Sequence, residues 1–367
     1  MTDSSGDPPL VAVGIRRVAL PLRAPHIAAH GTEWDREVLL VRVVDAEGWA
    51  GWGECPTLSR PGYTAEWTDG AWDVLRTDLL PRLLAGEEPG PDAPPMAAGA
   101  VRDALLDLAL RRQGGAPSPS PEGPSAATVP FGVAIGLAHD AEEVVDEVDT
   151  AMIAGARLVV LKIRPGWSVE PLAAVRRRRP EVEVAVDANG SFTLDDLDEL
   201  RALDAEGPSF VEQPLPAGDL EGSAQVAAAL AAPIALDEGV TTLRDLAAAI
   251  SVEAGSIVTV KPARMGGHAI AAEAMARAHR AGWDVHVGGM LESGLGRAAA
   301  RRLAARPEVR GPALVGPTGL LFTDDVVAPV EADTDGLVAV PDGPGLAPPP
   351  DPGRLAHLTM DGWNAER

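Results

Sequence analysis

Five apolar runs in this chain close on an ionisable residue, and the closures keep step with one another. Lys162, Asp187, Glu212, Asp237 and Lys261 end "VVLK", "VAVD", "SFVE", "IALD" and "VTVK", at spacings of 25, 25, 25 and 24 residues. A further 25 residues lands on His286. One strand–helix unit takes up about 25 residues, so the period puts an ionisable side chain at the same point of successive units. Singly, each residue has a bland explanation. Asp187 in "DANG" suits a turn, Asp237 in "LDEG" a helix cap, Glu212 a solvent-facing strand end, and the lysines a rim. Five in phase on consecutive strands point instead to one shared site.

From residue 129 the runs "VPFGVAIG", "ARLVVLKI", "VEVAVDANG", "SFVEQPL", "PIALDEG", "SIVTVKP" and "WDVHVGG" alternate with Ala-rich helical segments. Near-continuous apolar strands alternating with helices mean a parallel sheet covered on both faces, and this many units favour a closed (β/α) barrel over an open sheet. The carboxyl ends of barrel strands meet at one mouth, so three carboxylates converge there with a lysine on each flank. Ahead of the barrel, residues 10–23 and 37–53 read as strands, the latter folded into a hairpin at "DAEG". "YTAEWTDGAWDVLRTDLLPRLLAG" and "PMAAGAVRDALLDLALRRQGG" read as helices, which completes an α+β module. The Pro/Ser/Gly stretch 114–130 marks the boundary.

All but two of the 31 Lys and Arg residues are arginine, and the exceptions are Lys162 and Lys261. Compositional bias explains the arginines but not the exceptions. Arg does not give up its proton in a protein and Lys does, so the two lysines mark acid–base or Schiff-base chemistry. Three close carboxylates cannot all stay ionised without a counter-charge. A hard divalent cation held by Asp187, Glu212 and Asp237 supplies it, and an all-oxygen site suits Mg²⁺, with Mn²⁺ as a substitute. A substrate carboxylate chelated there has its α-proton acidified, and lysines on opposite flanks serve as general base and general acid. Burial and nearby cations are expected to depress both lysine pKa values.

The net charge of −23 argues against nucleic acid and anionic membrane surfaces as partners. Cys55 is alone, which excludes an intramolecular disulfide and a thiolate zinc cluster. "MTDSSGDPPL" lacks the pattern of a secretory signal, and no apolar run approaches the roughly 18 residues of a spanning helix. These features lead us to expect a cytoplasmic protein acting on a small-molecule carboxylate, with the question of a homo-oligomer open.

The motifs "PGYTAEWTDGAWDVLRTDLLP", "FGVAIG", "LKIRPGW", "VDANGSFTL", "VEQPL", "LDEGV", "VKPARMGGHAIA", "GGMLESGLGRA" and "VPDGPGL" resemble the enolase superfamily, in its muconate-lactonizing subgroup. Within it they resemble the o-succinylbenzoate synthase / N-acylamino acid racemase family, over residues 10 to about 347. The resemblance implies a (β/α)7β-type barrel over 129–322, an α+β capping domain with linker over 1–128, and a C-terminal segment over 323–367 returning to the cap. It implies that Asp187, Glu212 and Asp237 are ligands of Mg²⁺ and that Lys162 and Lys261 are the acid–base pair. Gly289, Met290, Leu291, Glu292 and Ser293 resemble the segment whose backbone lies beside the substrate's remote end. His30, in "PHIAAHGTEW" (25–34), and Tyr63, in "PGYT", resemble cap residues that close over the site. Asn189 and Glu238 stand beside ligands as supporting groups. The implied activity is dehydration of a cyclohexadiene carboxylate to o-succinylbenzoate for menaquinone, with Lys162 moving the proton and Lys261 stabilising the enediolate. The alternative on the same site is racemisation of N-acyl (N-succinyl) amino acids.

Three departures stand out. The family pattern before "PG" is Lys-x-Lys, and Val160 stands where the auxiliary lysine belongs, with Arg164 as a replacement cation if the strand continues. "GGAPSPSPEGPSAA" replaces an apolar turn, and "LVGPTGLLFTDD" is less polar than the usual last barrel segment. His26 and His30 read as loop residues, His286 as either site-lining or core, Cys55 as a buried small residue, and "RRRR" (176–179) as a solvated helix end. A dipeptide epimerase is disfavoured because "GGMLESG" lacks paired aspartates. Remoter readings are a Schiff-base aldolase, which borohydride trapping would reveal, and a non-catalytic barrel.

Overall fold

The computed structural model describes residues 8–28 and 31–367. Strands β1 (Leu10–Ala28), β2 (Gly31–Asp45) and β3 (Ala50–Cys55) form an antiparallel meander. Residues 25–28 and 31–34, expected to belong to a loop, instead extend β1 and β2: Ile27 pairs with Thr32 and Ala28 with Gly31. The register slips between Pro21 and His26, where proline withholds a ladder donor. Helix α1 (Thr68–Val74) runs through a π-helical turn, Leu75–Leu79, into α2 (Leu80–Leu84), and α3 (Pro95–Arg112) follows. The first helix starts at Thr68 rather than Tyr63, because the Thr68 hydroxyl donates to the carbonyls of Thr57 and Leu58 and anchors that turn to the sheet. Tyr63 is thereby left in a loop. Helix α3 lies against β3 so closely that a Cβ on Gly53 would meet Ala100 O at 2.0 Å.

After β4 (Thr128–Pro130) come strands β5 (Gly132–Ile135), β6 (Leu158–Lys162), β7 (Val184–Asp187), β8 (Val211–Glu212), β9 (Ile234–Leu236), β10 (Ile257–Val260) and β11 (Asp284–Val287). These seven form one curled parallel sheet in sequence order. Both edge strands also bond to residues 309–315: Gly132 N donates to Ala313 O at 2.8 Å, and Leu314 N to Val287 O at 2.9 Å. Helices α4 (Ala141–Ile153), α5 (Val169–Arg178), α6 (Leu197–Asp204), α7 (Leu220–Ala229), α8 (Leu243–Ser251) and α9 (His268–Arg280) link successive strands, and α10 (Gly294–Ala304) follows β11.

The strand period of two sorts the apolar residues into two cores. Val159, Leu161, Val184, Val186, Val211, Leu236, Val258 and Val260 face the helices. Leu158, Val160, Ala185, Phe210, Ala235 and Ile257 form a separate cluster on the other face, inside the curl. Continuing that inner face by two residues reaches Lys162, Asp187, Glu212 and Asp237, and by four reaches Lys261.

The Pro/Ser/Gly segment after α3 packs against α10: Ser120 is buried with its hydroxyl on Glu308, and Ala126 N donates to Ala305 O. The chain then adds β12 (Leu337–Ala339) to β4, turns through α11 (Pro352–Leu358), and pairs β13 (Thr359–Glu366) with β1 as an outer strand of the cap sheet. The apolar character of "LVGPTGLLFTDD" has a physical reason. Phe322 bridges to Leu22 of β1 and packs with Val18, Leu20 and Val326, so this segment ties the antiparallel sheet to the rest of the fold.

Candidate active site

Parallel register brings the in-phase residues side by side. Lys162 pairs with Asp187, and Asp187 with Glu212, while Asp237 and Lys261 each follow immediately after β9 and β10. The Nζ of Lys162 donates to Asp187 Oδ2 at 2.5 Å and to Asn189 Oδ1 at 2.7 Å. On the opposite flank, Lys261 Nζ donates to Asp237 Oδ2 at 2.7 Å and to the Tyr63 hydroxyl at 2.5 Å. Tyr63 O–H in turn donates to the same Asp237 oxygen at 2.8 Å. Tyr63 thus comes down from the cap loop onto the barrel chemistry.

Between the two lysines stands Glu212. It is 2% exposed, and no hydrogen bond or ion pair reaches its carboxylate among the described residues. Burial, then the charges of Asp187 and Asp237, push its pKa well above the usual carboxylate range. Asp237 goes the other way: burial works to raise it, but Lys261 and Arg264 hold it below that range. Lys261 is also a correction to the expected depression. Burial and Arg264 act to lower its pKa, yet Asp237 and Glu212 outweigh them and hold it above the ordinary lysine value.

Arg264 escaped the sequence reading, although "VKPARMGG" was in view. Its Nη2 donates to Asp237 Oδ1 at 2.5 Å and to Asp237 O at 2.7 Å, and its Nη1 to the Tyr63 hydroxyl at 2.9 Å. Gln213 was missed too. It adopts φ 39°, and its Oε1 accepts from Asp237 N and Gly239 N at 3.0 Å each, which fixes the end of β9. Nothing in the type of either residue sets it apart; only the fold brings it to the site.

The supporting residues divide. Asn189, at φ 43°, accepts from Lys162 and donates to Glu238 Oε1 at 2.9 Å. The other Glu238 oxygen is buried with no hydrogen-bond partner among the described residues, and burial raises the pKa of that carboxyl. Arg164 does not restore the missing cation. Strand β6 ends at Lys162, and Arg164 is turned outward in a tight bridge to Trp167, because Pro165 and Gly166 reverse the chain. Val160 sits in the apolar layer below Lys162.

The segment 289–293 also divides. Gly289 and Leu291 border a cavity of about 160 Å³ together with Gly132, Val133, Ala134 and Leu314. The other three have their side chains engaged elsewhere, so the expectation for them rests on their main chain alone. Met290 packs into the cap core, Glu292 faces Arg297 at 3.2 Å, and Ser293 Oγ donates to Glu54 Oε2 at 2.5 Å. His30 lies outside the described residues. His286 is buried on the inner face against Phe210, with Nε2 unpartnered among the described residues and its pKa lowered to about 4 by burial. It lies beside the floor of the curl rather than at the mouth.

Two aspartates and a glutamate at adjacent strand ends are the donor set of a hard divalent cation. The buried Glu212, whose pKa stays raised despite the charges of Lys261 and Lys162, is the observation that fits one. In the arrangement described, however, each aspartate is engaged by a lysine. Among the described residues no three His, Cys, Asp or Glu side chains are gathered closely enough to hold a metal. The residues fit a cation in kind and in charge, with the lysines standing as the present counter-charges. No helix among the described residues is long and apolar enough to cross a membrane.

Residues 137–353 match the family described as enolase C-terminal domain-like. The chain is 38% identical to an N-succinylamino acid racemase of an Amycolatopsis species, over 95% of this chain and 97% of that one. It is 32% identical to an o-succinylbenzoate synthase of Geobacillus stearothermophilus, over 90% and 91%. Among solved structures, a probable mandelate racemase from Alicyclobacillus acidocaldarius superposes with a TM-score of 0.86 at 33% identity, covering 97% of this chain and 99% of that one.

Proposed function

The chain belongs to the enolase superfamily, and from that premise we propose that it is a Mg²⁺-dependent o-succinylbenzoate synthase built on a (β/α)7β barrel. Asp187, Glu212 and Asp237 would hold the cation. When bound, it supplies positive charge that stabilises the substrate carboxylate as electron density builds on it.

The chain's own residues carry the proton. Lys162, as free amine, takes the α-proton of the cyclohexadiene carboxylate, and Asn189 orients its Nζ. The same Nζ returns that proton to the departing hydroxyl, so water leaves and the ring becomes aromatic. Lys261 stays an ammonium and faces the enediolate as a fixed positive charge. The observation that carries this reading is the company Lys261 keeps: Asp237, with Tyr63 alongside, and a pKa held up rather than down. A cation used for stabilisation wants this environment.

A second reading has its own support. Relatives at 38% and 34% identity are N-succinylamino acid racemases, and that reaction needs Lys261 as a second base on the opposite face of the α-carbon. The deciding experiment offers purified protein the cyclohexadiene substrate and, separately, a single enantiomer of an N-succinylamino acid. Each is run with Mg²⁺, with EDTA, and with Lys162→Ala. Metal-dependent absorbance loss that vanishes in the variant supports the synthase. Loss of optical rotation alone transfers the assignment to the racemase, and turnover of neither overturns both.

A further inference from the structure

One cap side chain ties two walls of the mouth together. Arg36 stands on β2, opposite Leu20 of β1, and is 5% exposed. Its guanidinium donates to carbonyls in three places. On its own strand it reaches Glu37 O at 2.9 Å. At the start of the loop that carries Tyr63 it reaches Pro56 O and Thr57 O, both at 2.6 Å. In the barrel segment at the cavity it reaches Met290 O at 3.0 Å and Leu291 O at 3.3 Å.

Both walls need holding. Leu291 sits at φ 55°, which a residue bearing a Cβ reaches only at a cost and keeps only when its surroundings over-determine it. The cap loop carries Tyr63 onto Lys261, Asp237 and Arg264, and its position decides whether those contacts exist. A planar fork with five N–H groups can span carbonyls from separate segments, whereas an ammonium offers three donors from one point.

We propose that Arg36 is a positioning residue, which sets Tyr63 over Lys261 and the 289–291 wall beside it through one shared clamp. Docking of the cap and assembly of the mouth are then a single event. The consequence for turnover rests on the catalytic reading of Lys261 given above, whereas the placement of Tyr63 does not.

Tyr63 is the only tyrosine in the chain, so 3-fluorotyrosine labelling gives a single ¹⁹F resonance that reports its surroundings. The experiment compares the full-length wild type with Arg36→Lys and Arg36→Met. It records that resonance, the far-UV CD melt, and kcat and KM with whichever substrate the wild type turns over. Arg17→Lys, at a half-buried ion pair of the same sheet, is the control. The expected result is folded variants whose resonance moves toward that of free fluorotyrosine, with kcat/KM down at least tenfold and an unmoved control. An unmoved resonance in the folded variants overturns the clamp. So does failure of both variants to fold, which would leave Arg36 a purely structural role. A moved resonance with wild-type kcat/KM overturns the link to turnover. A wild type inactive on both substrates, with the resonance still moving in the variants, sinks the catalytic reading and leaves the clamp standing.

Discussion

Lys162 and Asp187 are register partners on neighbouring parallel strands, and their side chains meet at 2.5 Å. The residue proposed as base and a residue proposed as metal ligand are therefore each other's partner in the arrangement described. Replacing Lys162 by Met should remove turnover by roughly 10²- to 10⁴-fold, the usual contribution of a positioned base. It should leave divalent cation binding as tight as before or tighter, since Asp187 is released from its ion pair. A Mn²⁺ titration followed by electron paramagnetic resonance checks this. Binding weakened more than tenfold would show that Lys162 helps to build the cation site and does not compete for it.

Glu212 makes the opposite case, a carboxyl that no side chain hydrogen-bonds among the described residues and whose pKa stays raised despite the charges of Lys261 and Lys162. A carboxylate buried without hydrogen bonds costs about 1–3 kcal/mol or more. Glu212→Gln removes the charge while keeping the shape, so it should raise the melting temperature in EDTA by a few degrees. The same variant should lose the stabilisation that Mg²⁺ confers on the wild type. Paired melts with EDTA and with Mg²⁺ test both halves, and a variant less stable in EDTA would contradict the reading.

The cap contributes a second buried carboxyl. Glu54 of β3 accepts from Ser293 N at 2.8 Å and Gly296 N at 2.9 Å, at the start of α10. Burial, aided by the nearby Glu292, outweighs those bonds and pushes its pKa from 4.5 to about 7. A carboxyl raised on folding stabilises the protein below its unfolded pKa, and that contribution is lost as pH rises through the folded value. The window is therefore pH 4.5 to about 7. His268 and His286, both depressed on folding, act in the opposite sense as pH falls below their ordinary value. A difference between wild type and Glu54→Gln cancels them. Between pH 5 and pH 8 the variant should gain about 2–3 kcal/mol relative to wild type, read from urea melts. A pH-independent difference would place the Glu54 pKa near its ordinary value.

Much of this site is legible because a barrel converts sequence period into spatial adjacency. A step of one unit along the chain becomes one strand along the sheet, and the two-residue alternation fixes which face each residue takes. Lys162, Asp187, Glu212, Asp237 and Lys261 needed nothing more. Tyr63 was visible only through its resemblance to cap residues, since helical spacing carried the first cap helix past it. Arg264 is one arginine among many, and its value lies in reaching Asp237 and Tyr63 at once. Arg36 and Glu54 were invisible for a related reason. Their partners are main-chain groups far along the chain, and a backbone carbonyl or N–H has no signature in a sequence.

Gly288 offers the most local test of how Lys261 is placed. It follows β11 directly and has no positive φ to exclude a side chain. A Cβ there would lie 2.9 Å from both Lys261 Cε and Thr259 Cγ2, and 3.1 Å from Lys261 Cγ. Those distances are well inside contact, and the packed Thr259 cannot yield as readily as the lysine stem. Gly288→Ala should therefore displace the ammonium from Asp237 and Tyr63 while the strand itself persists. The expected outcome is a melting temperature within a few degrees of wild type and kcat lower by roughly 10- to 100-fold, as misplacement of a reacting group by about 1 Å can produce. KM should change little, because Gly289 and Leu291 still border the cavity. Steady-state kinetics beside a thermal melt reads all three. Wild-type kcat would mean that Lys261 tolerates the shift, and the stabilising charge would then have to come from Arg264 or the cation alone.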